Sequence, residues 1–485
     1  MSTTIPIWWN GRRTRVPWYP PLGEDTYADV CVVGLGLAGV TTAYLLAREG
    51  KTVVGIDDGG IAGGETGRTT AHITAVLDDR YYALERLHGL HAARLAAESH
   101  VAAIDKIEAI ASAEDIQCEF ERVDGYLSGP ADILDRELAA CHRAGLTNVE
   151  RIGERLKFPR QAQFDPVEYV ETLARAVVRD GGRLFGGTHA VEMTGGTTGR
   201  VVTDKGHTVT AGAVVVATGS PVNDVVTMHT KQAAYRTYVI AMPTTEPIEP
   251  ALYWDSETPY HYARTRGNML IVGGGDHKTG QADDAAERYA AIEQWARAKF
   301  PGTGPVQYRW SGQILEPVDG LAFIGANPGV VPNIYVATGD SGNGMTYGTI
   351  AGMLLTDLIA CRDNPWTKLY DPARLTVKSG VEYARENLNV AGQYARWITP
   401  GQVATVAHIA KGEGAVIRRG ITKIAAYRDE QGKMHECSAV CPHLFCIVDW
   451  NSTEKTWDCP CHGSRFDPYG KVINGPAVTH LEPLS

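Results

Sequence analysis

Two short stretches near the carboxy-terminus hold the densest set of metal-ligating side chains in the chain. Cys441-Pro442-His443 is followed, after fifteen intervening residues, by Cys459-Pro460-Cys461-His462. Each stretch offers one thiolate and one imidazole, and zinc accepts a set of two cysteines and two histidines. Zinc modules draw their cysteines from one element and their histidines from another, whereas here each loop supplies one of each. A pair of irons uses that arrangement when one iron takes two cysteines and the other two histidines. A second constellation lies near the amino-terminus. Gly34, Gly36 and Gly39 form G-x-G-x-x-G, and Asp57 follows Gly39 by eighteen residues. Glycines so spaced permit a tight turn and close approach of a pyrophosphate, and an acid at that distance suits a ribose hydroxyl.

These residues need elements to hold them. From Tyr27 an apolar run, the glycine loop, a helical stretch and a second apolar run ending at Asp57 read as strand, helix and parallel strand. The helix aims its amino-terminus at the phosphates. Three later stretches continue the pattern: a polar glycine- and threonine-rich loop from Gly59 to Thr74, a buried strand Ala211–Ser220 containing Ala217-Thr218-Gly219, and Asn333–Ile359, a strand, glycine turn and apolar helix. Tyr81–Ala111 has helical spacing, so its His88, His91 and His100 are expected on a helix face. Phe164-Asp165-Pro166 opens a helix through Val178, and Gly181–Phe185 reads as a strand. From about Val403, short alternating runs suit a small antiparallel β domain.

In this order the pieces resemble the FAD-dependent oxidoreductases of the D-amino acid oxidase and glycine oxidase family, from Tyr27 to Leu369. The resemblance implies FAD rather than NAD. It implies cofactor contacts at Gly34, Gly36, Gly39 and Asp57, along the first loop at Gly64, Thr66, Arg68, Thr69, Thr70 and His72, at Thr218 and Gly219, and at Gly339, Gly342, Asn343, Gly344 and Met345. In the family the late glycine turn approaches the flavin ring, with a helix dipole behind it. The family's pocket lies between flavin and an antiparallel sheet, which makes Arg236 a candidate clamp for a substrate carboxylate and Gln313 and Tyr347 candidate pocket residues. In the dimethylglycine and sarcosine dehydrogenase branch a histidine in a similar loop bonds the flavin covalently, a role His72 would take.

CPHLFC and CPCHGS resemble the two boxes of Rieske proteins of the cytochrome bc type. That resemblance implies a [2Fe–2S] cluster on Cys441, His443, Cys459 and His462, a disulfide between Cys446 and Cys461, and a hydrogen bond from Ser464 to a cluster sulfide. Phe466 replaces the family's tyrosine and predicts a potential below the highest of the class. Phe445 replaces a glycine and brings solvent access to the cluster into question. No two-histidine, one-carboxylate set for mononuclear iron follows the motif, so a Rieske oxygenase is not expected.

The expected fold is α/β, a Rossmann-like FAD-binding domain with an α+β substrate domain, plus a small all-β Rieske domain. The expected divisions are an extended arm (1–25), a discontinuous FAD-binding domain (26–90, 160–228 and 315–365), a substrate domain (91–159 and 229–314), a linker (366–402) and the Rieske domain (403–485). The scattered Cys31, Cys118, Cys141 and Cys361 are expected as buried small hydrophobes. A net charge of −10 without a basic tract excludes a nucleic-acid binder. Arg12-Arg13 lacks the apolar stretch of an export signal, and no run is long enough to span a bilayer, so a cytoplasmic protein is expected. The expected activity is dehydrogenation of a C–N bond in an amine or amino acid by hydride transfer to FAD, with electrons passing to or from the cluster and O2 or a redox protein as the further partner. The alternatives are a natural-product tailoring flavoenzyme performing desaturation or oxidative cyclisation, and an electron relay with no substrate of its own.

Overall fold

A computed structural model describes residues 5–10, 19–223, 228–329 and 332–484. Arg12 and Arg13 lie outside the described residues. Nine strands and six helices position the sites: β1 (Thr26–Val33), β2 (Val53–Ile56), β3 (Arg183–Phe185), β4 (Thr208–Val216), β5 (Gln232–Pro243), β6 (Met269–Lys278), β7 (Tyr308–Pro317), β8 (Phe323–Ala326) and β9 (Ile334–Thr338), with α1 (Leu37–Arg48), α2 (Leu90–Ala113), α3 (Pro166–Arg179), α4 (Ala285–Lys299), α5 (Gly344–Ile359) and α6 (Gly380–Gln393).

The first sheet runs β8-β9-β4-β1-β2-β3, parallel except for β8, with a hairpin of Ala190–Thr194 and Gly199–Thr203 added beside β4. Val30 to Val33 is buried at every position, as a central parallel strand covered on both faces requires. Helices α1, α3 and α5 cover one face. Gly348 and Gly352 of α5 let it approach α1, since a Cβ at either would press on Leu37 or Thr41. Asp165 caps α3 by accepting from the amides of Val167 and Glu168, with Pro166 at its first position.

The second sheet has nine strands and begins β7-β5-β6 before continuing through His261–Arg266, Ala251–Trp254, Glu121–Ser128, Arg155–Gln163 and His72–Ile73. It extends to Pro317, past the expected division at 314, and takes in Arg155–Gln163 across the one at 159. Period-two alternation divides β5 between faces: Val239 and Ala241 join the large core shared with the first sheet, while Tyr238, Ile240 and Met242 pack under α4.

The amino-terminal segment departs from an extended arm. Ile7–Trp9 form a 3₁₀ turn in which Trp8 is fully buried, its ring against the guanidinium groups of Arg264 and Arg266 and its indole N–H on the Thr69 carbonyl at 2.7 Å. Cys31, Cys118 and Cys141 are buried, but Cys361 is exposed, because it lies just beyond the end of α5.

The carboxy-terminal unit holds two small antiparallel sheets, Glu413–Arg419 with Thr422–Arg428 and Met434–Ser438, and Asp449–Asn451 with Thr456–Asp458, Arg465–Phe466 and Val472–Asn474. Helix α6 straps this unit to the rest. Glu386 pairs with Lys278 at 2.5 Å, Asn389 bonds Gln281 at 2.8 Å, and just beyond the helix Tyr394 and Trp397 bond the carbonyls of Leu444 and Phe445. No helix among the described residues is long and apolar enough to cross a membrane.

Candidate functional site

The glycine loop opens directly into α1. Gly34 adopts φ +96°, and a Cβ there would lie 2.5 Å from the Ala217 carbonyl; at Gly36 it would lie 2.9 Å from the Thr66 hydroxyl. The Leu37 amide, at the helix amino-terminus, donates to Thr66 Oγ1 at 3.0 Å, where such a terminus takes an oxygen acceptor. Asp57 accepts from the Leu35 amide at 2.7 Å and the Gly59 amide at 2.9 Å, and burial pushes its carboxyl up to about 6. A cradle that a side chain would fill, a helix amino-terminus and a carboxylate at the strand end fit an adenine dinucleotide.

Beyond Gly64, Glu65–Arg68 makes a 3₁₀ turn, and Arg68 reaches away to the Ser311 carbonyl at 3.2 Å. The Thr69 hydroxyl accepts from the Ala71 amide. His72 contacts Thr70 Oγ1 through Nδ1 at 3.0 Å and the Ala263 carbonyl through Nε2 at 3.2 Å. Burial, reinforced by Arg264, lowers its pKa to about 3. Both ring nitrogens are engaged within the protein. The Gly219 carbonyl accepts from Thr338, and Thr218 bonds the Ser220 carbonyl, so this segment is tied to β9. Gly339 and Gly342 adopt φ +75° and +74°; Asn343 starts α5, ahead of Gly344 and the buried Met345.

Carboxylates surround that turn. Ser341 donates to Glu316 at 2.6 Å, Tyr260 donates to Asp78 at 2.9 Å, and Asp78 lies against Gly342. Asp78, Glu316 and Asp340 are half-buried and Asp79 is exposed. Burial nevertheless dominates their titration. It pushes Asp78 up to about 7, Asp340 and the nearby Asp276 up to about 6, and Glu316 well above the carboxylate range. Arg80, the cation beside Asp78, donates to the carbonyls of Leu77 and Asp255. No single motif marks this acid set in the sequence, because its members come from four separate segments.

At the other end, Cys441 and Cys459 are buried side by side. The Cys459 thiol donates to Cys441, which lowers the Cys441 pKa and raises that of Cys459; amides of His443 and Leu444 and the Ser464 hydroxyl also favour a Cys441 thiolate. His462 Nδ1 is buried without a hydrogen-bond partner, and burial lowers this imidazole to about 4. The rings of His443 and His462 stand 5.0 Å apart. Cys446 and Cys461 form a disulfide that joins the two loops. Adjacent thiols, an orphaned neutral imidazole nitrogen and N–H groups turned to sulfur fit a [2Fe–2S] cluster on Cys441, Cys459, His443 and His462. Ser464 is fully buried and also accepts from the Ala477 amide at 3.0 Å. Phe466 packs in the domain core. Phe445 is 63% exposed and turns outward, so it does not shield the cluster.

The three residues expected to act on substrate lie elsewhere. Arg236 and Gln313 are cross-strand partners on β5 and β7, with their side chains toward the cluster domain. Arg236 is ion-paired with Glu454 of that domain at 2.5 Å and bonded to Ser311, while the Gln313 amide donates to the Gly463 carbonyl at 3.1 Å. A guanidinium already matched to a buried carboxylate is no clamp for a substrate. Tyr347 stands edge-on to His100 of α2, ring centroids 4.7 Å apart, so it belongs to the helical layer. Glu65 and Glu454 were not legible as site residues, since a lone acid in a loop carries no spacing signal.

Comparison with known proteins bears on both ends. The FAD-dependent oxidoreductase family matches residues 29–358, and the Rieske [2Fe-2S] domain matches residues 399–485. The chain is 33% identical to YhfW of Bacillus subtilis (strain 168), whose name describes a Rieske 2Fe-2S iron-sulfur protein, over 97% of this chain and 96% of that one. It is also 33% identical over 142 residues to the cytochrome b6-f complex iron-sulfur subunit of Synechococcus elongatus, covering 29% of this chain and 72% of that one. Among solved structures, glycine oxidase from Geobacillus kaustophilus superposes with a TM-score of 0.62 at 18% identity, over 72% of this chain and 99% of that one. L-proline dehydrogenase from P. horikoshii gives 0.57 at 17%, over 73% and 98%.

Proposed function

Since the chain belongs to the FAD-dependent oxidoreductase family and carries a Rieske [2Fe-2S] domain, we propose that it dehydrogenates a C–N bond of an amine and exchanges the electrons with the cluster inside the same chain. FAD supplies a two-electron acceptor, and the cluster a one-electron carrier. The observation that carries this reading is the direct seating of the cluster domain on the Gly59–Thr74 loop, which would run along the flavin. Asn474 donates to Glu65 Oε1 at 3.1 Å, and Gln313 joins the same Glu65 to the cluster loop.

The chain's own residues set the substrate. Of the acids around the Gly339–Gly344 turn, Asp340 and Asp276 ionise above about 6 and so favour a substrate that brings positive charge near neutral pH, and Arg236 is committed to Glu454. An amine is therefore preferred to an amino acid held by its carboxylate. Asp78 is partly protonated near neutral pH, so it becomes an anionic partner as pH rises through about 7. Affinity for a cationic substrate should rise over that interval, since an ionised carboxylate attracts an ammonium group more strongly than its protonated form does.

An anaerobic screen of mono-, di- and polyamines beside amino acids, following the flavin absorbance and the cluster signal separately, tests the proposal. Bleaching of the flavin by an amine, followed by reduction of the cluster, is the expected result. Bleaching by none of them, with reduction only through an external electron donor, would favour a relay.

A further inference from the structure

The cluster histidines are covered by the oxidoreductase part of the chain, at the start of the second sheet. His229, in the turn that leads into β5, is only 3% exposed. Its ring stands edge-on to His443 at 4.7 Å and to His462 at 5.8 Å, so three imidazoles pack together across the boundary between the units. Its Nε2 is anchored on the Pro221 carbonyl at 3.0 Å, close to the segment that follows β4.

Gln313 makes the second crossing. It lies on β7, the edge strand, whose outward N–H groups are open to partners from outside the sheet. Its main-chain N–H donates to Glu65 Oε2 at 2.7 Å, in the Gly59–Thr74 loop that would run along the flavin, while its side-chain amide donates to the carbonyl of Gly463, the residue after His462. One residue thus joins the flavin-side loop to the cluster loop. Gly463 makes the approach possible. It adopts φ +81°, and a side chain there would collide with Ala234 of β5.

We propose that His229 and Gln313 form the contact through which electrons pass between the FAD unit and the cluster, His229 against the ligand imidazoles and Gln313 through the Gly463 carbonyl. The inference rests on the electron-exchange reading above. Electron transfer favours short, packed and hydrogen-bonded contacts, and these two residues make such contacts between the two units in the docked arrangement. The balance is one electron per event: the two-electron donor loses one and one iron of the cluster gains it. The second electron follows once a one-electron acceptor has reoxidised the cluster.

The test uses the full-length holoprotein, reduced anaerobically by a light flash with an external deazaflavin and a sacrificial carboxylate donor, so that no amine substrate is needed. Electron exchange is followed through the flavin absorbance and the paramagnetic resonance of the cluster, and docking through hydrogen exchange across 459–465. The double variant His229→Leu, Gln313→Leu should slow exchange about tenfold or more with docking retained. His229→Leu should also shift the resonance and midpoint potential of the cluster, which a merely structural role at a distance would leave in place; Gln313→Leu should not.

Unchanged exchange in the double variant would overturn the proposal. If that variant undocks, His229→Phe, which keeps a ring in place, decides: slower exchange with docking intact supports the contact, and an unchanged rate overturns it. A native protein showing no exchange between flavin and cluster would instead overturn the function proposed above, and this contact with it.

Discussion

Asp57, directly after β2, has two backbone amides on its oxygens, yet burial outweighs them and raises its carboxyl to about 6. Its value as an acceptor for a ribose hydroxyl depends on ionisation. FAD affinity of the apoprotein should therefore be flat above neutrality and fall as pH drops through about 6. Asp57→Asn removes a charged acceptor, a change of about 1.5–3 kcal/mol, so the dissociation constant should rise roughly 10- to 100-fold and lose most of its pH dependence. Titration of apoprotein with FAD, followed by flavin fluorescence, measures both. An Asp57→Asn affinity equal to that of the native protein would remove Asp57 from the cofactor site.

Among the elements, turns with glycine at positive φ decide how closely the units approach. Gly280, just after β6, adopts φ +69°, and a Cβ there would lie 2.8 Å from the Asp458 carbonyl and 2.9 Å from the Pro460 nitrogen. The cluster loop thus rests on bare backbone. Gly280→Val adds a left-handed β-branched residue, costing roughly 1–3 kcal/mol before the collision is counted. The cluster domain should separate while keeping its own fold and cluster. Limited proteolysis within 366–402 should quicken severalfold, with the cluster resonance retained. An unchanged cleavage rate would show that the interface tolerates the side chain. Helix α6 belongs to the same scale: it spells no motif, but its polar residues Glu386 and Asn389 bind it to Lys278 and Gln281.

Across the whole molecule, docking depends on a charge network assembled from distant parts of the chain. Glu454 lies between Arg236 and Arg465, with Arg68 nearby. Burial would raise its carboxyl, but the three guanidinium groups outweigh burial and hold it at about 2. Its folded value is below the ordinary carboxylate range, so its stabilisation is complete above that range and lost only as pH falls towards 2. Docking should consequently be constant between pH 5 and 9. Glu454→Ala leaves the buried Arg236 without its carboxylate partner and Arg465 with Asp458 alone, at a cost of about 3–5 kcal/mol. Hydrogen exchange at the interface and small-angle scattering should show a loosened cluster domain. A variant as compact as the native protein would mean that α6 and the glycine contacts suffice.

The local motifs were legible because each needs only neighbours in the chain. The glycine loop with its strand and helix, the two cluster boxes and the three glycine-rich stretches are short segments whose residue types and spacing follow directly from the groups they hold. The sequence by itself thus determined both cofactor classes and the kind of fold that carries each. Side-chain direction and contacts between units belong to another order of information. Which face of β5 turns Arg236 to the cluster domain, which helix receives Tyr347, how acids from four segments meet at one glycine turn, and that His229 lies against both cluster histidines were decided only by the tertiary structure. The reason is physical: burial and charge compensation act between atoms close in space, and the chain brings those atoms together from positions that are hundreds of residues apart.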